Sequence, residues 1–238
     1  VLDVIQRAGY RVEWIDNNTG DKGLAARAIY SSVTYANDPE FCGEGECLDG
    51  ILGAAVADRL GGIDSDTVLV LHQIGSHGPS YYLRYPQASE RFQPACRTSN
   101  FSDCTAQELT NAYDNTIAYT DKVLADLIEL LAAQSGLSTS MIYVSDHGES
   151  LGEKGLYLHG APYFMAPDQQ TKVPMLIWLS DEYQRDTGAT LECLTAKPAP
   201  DYSHANLFHT LLGMTGVETS LRDPELDIFD TCRKTSNG

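Results

Sequence analysis

The 238 residues predict an α/β fold with a largely parallel central sheet flanked by helices. Two observations carry that expectation. Four short apolar runs, at about 10–15, 67–72, 141–145 and 173–179, are bounded by Gly, Asp, Ser and Pro, as strands covered on both faces tend to be. Segments of helical periodicity separate them, so the two kinds of element alternate.

The elements follow in order. The opening VLDVIQRA is an amphipathic helix stopped at Gly9, before a strand from Tyr10 to Ile15. A helical pattern from Cys47 to Leu60 leads into TVLVLH at 67–72. The longest periodic segment, Ala106 to Ala133, precedes MIYVS at 141–145. VPMLIWL at 173–179 and a last helix over Ser203 to Gly213 complete the set. No repeat, low-complexity stretch or linker interrupts the chain, so a single domain over 1–238 is expected.

Bulk charge narrows the partners. With 16 Lys and Arg against 33 Asp and Glu, the net charge is −17 and no basic run occurs. Nucleic acid is a poor partner for such a chain, and so is a membrane surface sought by charge alone. No stretch approaches the roughly 20 apolar residues of a membrane span, and no signal peptide opens the chain. Four of the six cysteines form two close pairs, Cys42 with Cys47 and Cys96 with Cys104. Their unequal gaps and loop-like surroundings fit small disulfide loops better than a zinc ribbon, which places the domain in an oxidising compartment. Cys193 and Cys232 remain for a third bridge. The residues that export such a domain are expected outside these 238.

In open α/β sheets ligands gather beyond the carboxyl ends of the strands. Three strand ends are polar here. The first runs into DNNTGDKG at 16–23, the second into HQIGSHGP at 72–79, and the third opens YVSDHGESLGEKGLYLHG at 143–160. An Asp–His dyad, Asp146-His147, offers one hard oxygen and one imidazole nitrogen, a set that suits zinc, and His159 returns a dozen residues later. His77 precedes a Gly-Pro turn that can project a side chain from rigid backbone. His72 is still on its strand and reads as a supporting histidine, while His204 and His209 lie on the last amphipathic helix and read as structural. In the first turn Asn18 and Lys22 could hold an anionic head group, Lys22 as a point charge for phosphate; the alternative is a plain polar loop leading to a helix capped near Asp21.

SDHGESLGE with YLHG, LHQIGSHGP, DNNTGDKG and NAYDNTIAYTD together resemble the phosphoethanolamine transferases that modify lipid A, a group that includes the mobile colistin-resistance enzymes. The resemblance covers nearly the whole chain. It implies the alkaline phosphatase/sulfatase-like fold, with the cysteine pairs at the family's small disulfide loops. Asp146 and His147 resemble the family's zinc ligands. His77 and His159 resemble the catalytic pair flanking a phosphorylated nucleophile, and Asn18, Lys22 and Glu149 fall with the substrate contacts. The family completes its site with a glutamate from an upstream strand and a threonine that opens an upstream helix. Neither position is in the chain, and neither Thr19 nor Thr34 stands in that motif. The fold is therefore expected to be truncated on its N-terminal side, and the span to be inactive alone although its parent is active. The implied reaction uses Zn2+, a phosphatidylethanolamine donor and a lipid A acceptor. It runs on the periplasmic face of the bacterial inner membrane, reached through an anchor absent from the chain. The alternatives are a related phosphoryl or sulfuryl transferase or hydrolase on the same scaffold, or a degenerate, non-catalytic binding module.

Overall fold

The structure is a computed structural model and describes residues 1–34, 37–43, 45–196 and 201–233. The first half builds α1 (Leu2–Arg7), β1 (Arg11–Asp16), β2 (Ile29–Ser32), β3 (Cys42–Gly43), β4 (Glu46–Cys47), α2 (Gly50–Leu60), β5 (Thr67–His72) and the long α3 (Ala106–Ala132). The second half adds β6 (Ser140–Val144), β7 (Ser150–Leu151), β8 (Tyr157–Leu158), α4 (Asp168–Thr171), β9 (Met175–Leu179), α5 (Asp181–Thr187), α6 (Leu191–Thr195) and α7 (His204–Met214). The α/β class stands, and apart from the alternative helix after Asp21 each predicted strand and helix lies within a few residues of its expected place.

Alternation along the strands sorts the layers. β1, flanked by β2 and β5, forms a fully parallel sheet in the order β2-β1-β5. Val12 and Val68 point to one face, where they pack with Ile5 of α1 and Leu212 of α7. Leu69 and Leu71 point to the other, against Val56 and Leu60 of α2 and Tyr119, Val123 and Leu127 of α3. One face therefore carries α1 and α7 and the other α2 and α3, an arrangement only a period-2 strand between two helical layers gives. α3 starts firmly because Thr105 and Glu108 form a reciprocal capping box.

Two expectations change. The run at 173–179 becomes β9, which pairs antiparallel with β6, Val144 opposite Met175 and Ser140 opposite Leu179. A parallel return needs a crossover of a dozen or more residues, usually helical. The 145–174 connection is long enough but holds a small hairpin, β7 with β8, a 3-10 turn at Glu153–Gly155 and the four-residue α4, with no helix long enough to cover a sheet face on a crossover. The second change concerns burial. Every residue of β5 and β6 is half-buried, because each strand keeps one edge unpaired among the described residues and both line a cavity of about 1970 Å³. β2 was not foreseen, since Ile29–Ser32 is an exposed, half-polar edge strand with no apolar run to mark it.

All three disulfides are formed: Cys42–Cys47 across the β3–β4 hairpin, Cys96–Cys104 before α3, and Cys193–Cys232 tying α6 to the C-terminal segment. No helix among the described residues is long and apolar enough to cross a membrane.

Candidate functional site

The parallel register sets the carboxyl ends of β1 and β5 side by side, with Asp16 paired to His72. His72 Nδ1 lies 2.6 Å from the Asp16 carboxylate, which also accepts from the Gly20 amide. Burial alone would raise the Asp16 pKa; the bonds from His72 and Gly20 outweigh it and hold the carboxyl below its ordinary range. Asn17 donates to Asp49 at 2.7 Å, and buried Asp49 accepts from the Ile74 and Gly75 amides at 3.0 and 2.8 Å. Asn18 spans to the Gln73 carbonyl at 2.9 Å. The two turns are thereby braced into one rim.

On that rim three imidazoles converge. Ring centroids are 4.0 Å apart for His147 and His159, 5.0 Å for His77 and His159, and 6.2 Å for His77 and His147. Each ring has its Nδ1 engaged: His77 on the Gly78 carbonyl at 2.8 Å, His147 on the Gly148 carbonyl at 3.1 Å, His159 on the Glu149 carboxylate at 2.8 Å. Carbonyl and carboxylate oxygens only accept, so Nδ1 carries the hydrogen in all three and Nε2 keeps a lone pair for a metal or a proton. Ligand atoms of His147, Glu149 and His159 fall within 4.8 Å of one another, a cluster able to hold a metal ion. Asp146 is outward, its side chain 86% exposed, with a carboxylate oxygen 3.8 Å from His147 Nε2. Tetrahedral zinc with ligands at about 2.0–2.1 Å needs donor atoms roughly 3.3 Å apart, so the dyad fits that ion with a small closure.

The turn is held from behind. Gly148 donates its amide to the Gln170 carbonyl at 3.0 Å, and a Cβ there would fall 1.9 Å from the Gln169 carbonyl oxygen, so only glycine fits. His204, at the start of α7, donates Nε2–H to the Ser145 carbonyl at 2.8 Å, just ahead of Asp146. His209 accepts from the Asp223 amide at 2.8 Å and stays structural.

Asn18, His77, Asp146, His147 and Glu149 all line the large cavity. Lys22 does not; its exposed ammonium donates to the Thr19 carbonyl and hydroxyl at 3.1 and 2.8 Å. The segment after Asp21 forms turns and no helix. Glu149, grouped by motif with the substrate contacts, is buried and uses its second oxygen on the Tyr81 hydroxyl at 2.9 Å. Burial, followed by the Glu149 charge, raises the Tyr81 pKa far above its usual value, so this phenol is a lasting donor. Tyr81, Asp49, Gln170 and His204 support the site without a mark in the sequence. Each acts through contacts with segments removed from it along the chain, which no local pattern records.

The family model described as Sulfatase matches residues 1–217. The chain is 48% identical to the phosphoethanolamine transferase EptA of Escherichia coli K12, over 99% of its own length and 44% of that protein. It is 37% identical to the phosphatidylethanolamine transferase Mcr-1 of Escherichia coli, over 80% of its length and 36% of the relative. Among solved structures, the integral membrane protein lipooligosaccharide phosphoethanolamine transferase A of Neisseria meningitidis superposes with a TM-score of 0.94 at 43% identity, covering 98% of the chain and 44% of that structure. The chain thus spans less than half the length of these relatives.

Proposed function

Because the chain belongs to the sulfatase family, we propose that this rim is the phosphoryl-transfer site of a zinc-dependent phosphoethanolamine transferase, moving the group from phosphatidylethanolamine to lipid A. One observation carries the reading most directly. Three imidazoles, each with Nδ1 engaged on a protein oxygen, lie with ring centroids 4.0 to 6.2 Å apart, and the exposed Asp146 carboxylate is 3.8 Å from His147 Nε2. Side chains arranged so suit metal and proton chemistry.

In this reading Asp146 and His147 would hold zinc, which when bound would lower the pKa of a coordinated hydroxyl and offset charge on the transferring oxygens. His77 and His159 hold or pass protons at Nε2 on either side of the phosphoryl group. Glu149 acts from behind by fixing the His159 ring. Asn18 meets the donor head group from the cavity wall, and Lys22 reaches it only by leaving Thr19. The nucleophile is a threonine outside these 238 residues; Thr19 and Thr34 are not part of the cavity lining.

The three disulfides support an oxidising location, the periplasmic side of the inner membrane. A net charge of −17 opposes anionic lipid substrates, and a membrane anchor elsewhere in the parent offsets this by raising effective concentration.

The test is mass spectrometry of lipid A from cells expressing the full-length parent. A phosphoethanolamine increment that disappears with Asp146→Ala or His147→Ala is the expected result. Unmodified lipid A beside well-expressed protein would reject the assignment.

A further inference from the structure

The loop after His159 carries an apolar tip that the fold leaves uncovered. From Gly155 to Pro167 the chain has no Asp, Glu, Lys or Arg, in a protein whose net charge is −17. At the centre of this segment Tyr163 and Phe164 are each 86% exposed, with Met165 at 52% and Tyr157 at 51%. Single exposed apolar residues are ordinary, but three in succession at a loop tip are not.

The tip is also firmly presented. The Met165 and Ala166 amides both donate to the Pro162 carbonyl, at 2.8 and 2.9 Å. Ala161 donates to the Gln170 side chain at 3.2 Å, and the amide of buried Gln170 donates to Ser150 Oγ at 2.9 Å. Gln170 also receives the Gly148 amide. The loop therefore hangs from the turn that positions His147 and Glu149, so whatever the tip touches is registered against the site.

Tyr, Phe and Met at an exposed tip are side chains that favour the boundary between lipid head groups and acyl chains. Charge selects the approach. An acidic protein is repelled by an anionic leaflet over most of its surface, least so where a charge-free tip leads. Lys154 and Lys172 flank the tip, close enough to Asp168 that both lower its pKa, Lys172 through a direct hydrogen bond first.

We propose that Tyr163, Phe164 and Met165 form an interfacial anchor that dips into the head-group region of a lipid bilayer and holds the mouth of the site against the membrane face. Its purpose rests on the lipid-donor reading above, while its test does not.

The test uses the purified 238-residue chain and vesicles of phosphatidylcholine with a minority of phosphatidylglycerol, without phosphatidylethanolamine. Flotation with the vesicles is expected. Tyr163→Ser with Phe164→Ser should lower the floated fraction about tenfold while leaving thermal unfolding unchanged, and Asp146→Ala should float as the native chain does. An environment-sensitive dye on Phe164→Cys should brighten with vesicles and be quenched by lipids brominated near the head group. The same dye on Leu221→Cys, an exposed position elsewhere, should not respond. The proposal fails if the tip variant floats normally or the dye at 164 stays in water. It also fails if binding requires phosphatidylethanolamine and is lost with Asp146→Ala, which would mean head-group capture at the site. A dye at 164 that is silent with vesicles but buried in the full-length parent in detergent would equally overturn it, by showing the tip docked on protein.

Discussion

His159 and Glu149 are joined by a 2.8 Å hydrogen bond from Nδ1 to Oε1, and the opposite oxygen of Glu149 accepts from the Tyr81 hydroxyl at 2.9 Å. Tyr81, Glu149 and His159 form a chain that begins in the core and ends at the imidazole facing the site. A carboxylate that orients a histidine from behind raises the basicity of its free nitrogen and fixes its tautomer.

Removing the hidden end of this chain should be felt at both ends. Tyr81→Phe leaves one oxygen of buried Glu149 without a donor, and urea unfolding should show a loss of about 1–3 kcal/mol. In the full-length parent, Glu149→Gln should slow lipid A modification roughly 10–100-fold by releasing the His159 ring. Unchanged turnover would mean that the orientation of His159 is immaterial.

Zinc should bind the native chain and raise its melting temperature, by an amount equivalent to about 2.7 kcal/mol at a hundredfold excess over the dissociation constant. His147→Ala should abolish that rise, and Asp146→Ala should weaken it. Elemental analysis of the full-length parent after desalting supplies a second readout, expected to show metal retained there and lost with His147→Ala, whereas the 238-residue span, without the upstream glutamate and threonine, should hold it more weakly.

Two glycines should respond in opposite directions to the same added methyl. At Gly148 the new Cβ would press on the Gln169 carbonyl at 1.9 Å, so Gly148→Ala should cost at least about 1–3 kcal/mol. At Gly53, inside α2, nothing lies within 4 Å, and Gly53→Ala should stabilise the protein by about 0.5–1 kcal/mol. Thermal unfolding of the two variants side by side decides both.

Acid should destabilise the chain partly through Asp16. Its carboxyl is held low in the folded state, so its contribution is fully present above the unfolded value of 3.8 and is lost as pH falls through the lowered one. Unfolding midpoints measured from pH 5 downward should therefore decline less steeply for Asp16→Asn than for the native chain. Identical slopes would remove Asp16 from the account.

The fold class was legible because its signals are local. Apolar runs such as TVLVLH and the capped, periodic α3 announce themselves within a few residues. The direction of β9 was not, because it depends on what the 145–174 connection can span. Half of the site was legible for the same reason: His77, Asp146, His147 and His159 sit in compact motifs. Glu149 stands in the same motif and reads there as a substrate contact; its place between His159 and Tyr81 is not legible, since only packing brings Tyr81 against it across 68 residues. Lys22 shows the converse. A residue type suited to phosphate, in a suitable loop, is here bound to its own turn.

Among the described residues β5 and β6 each leave one edge unpaired, which bears on how these 238 residues behave when taken alone in solution. An open strand edge is a template, and any extended segment of matching length can add to it, including one from another copy. Two such edges lining one apolar cleft would make an uncharged protein of this shape self-associate. The 17 net negative charges then act as mutual repulsion between copies. The acidity that hinders approach to anionic lipid should also hold copies of this chain apart, an effect expected to weaken as salt shortens the range of the repulsion.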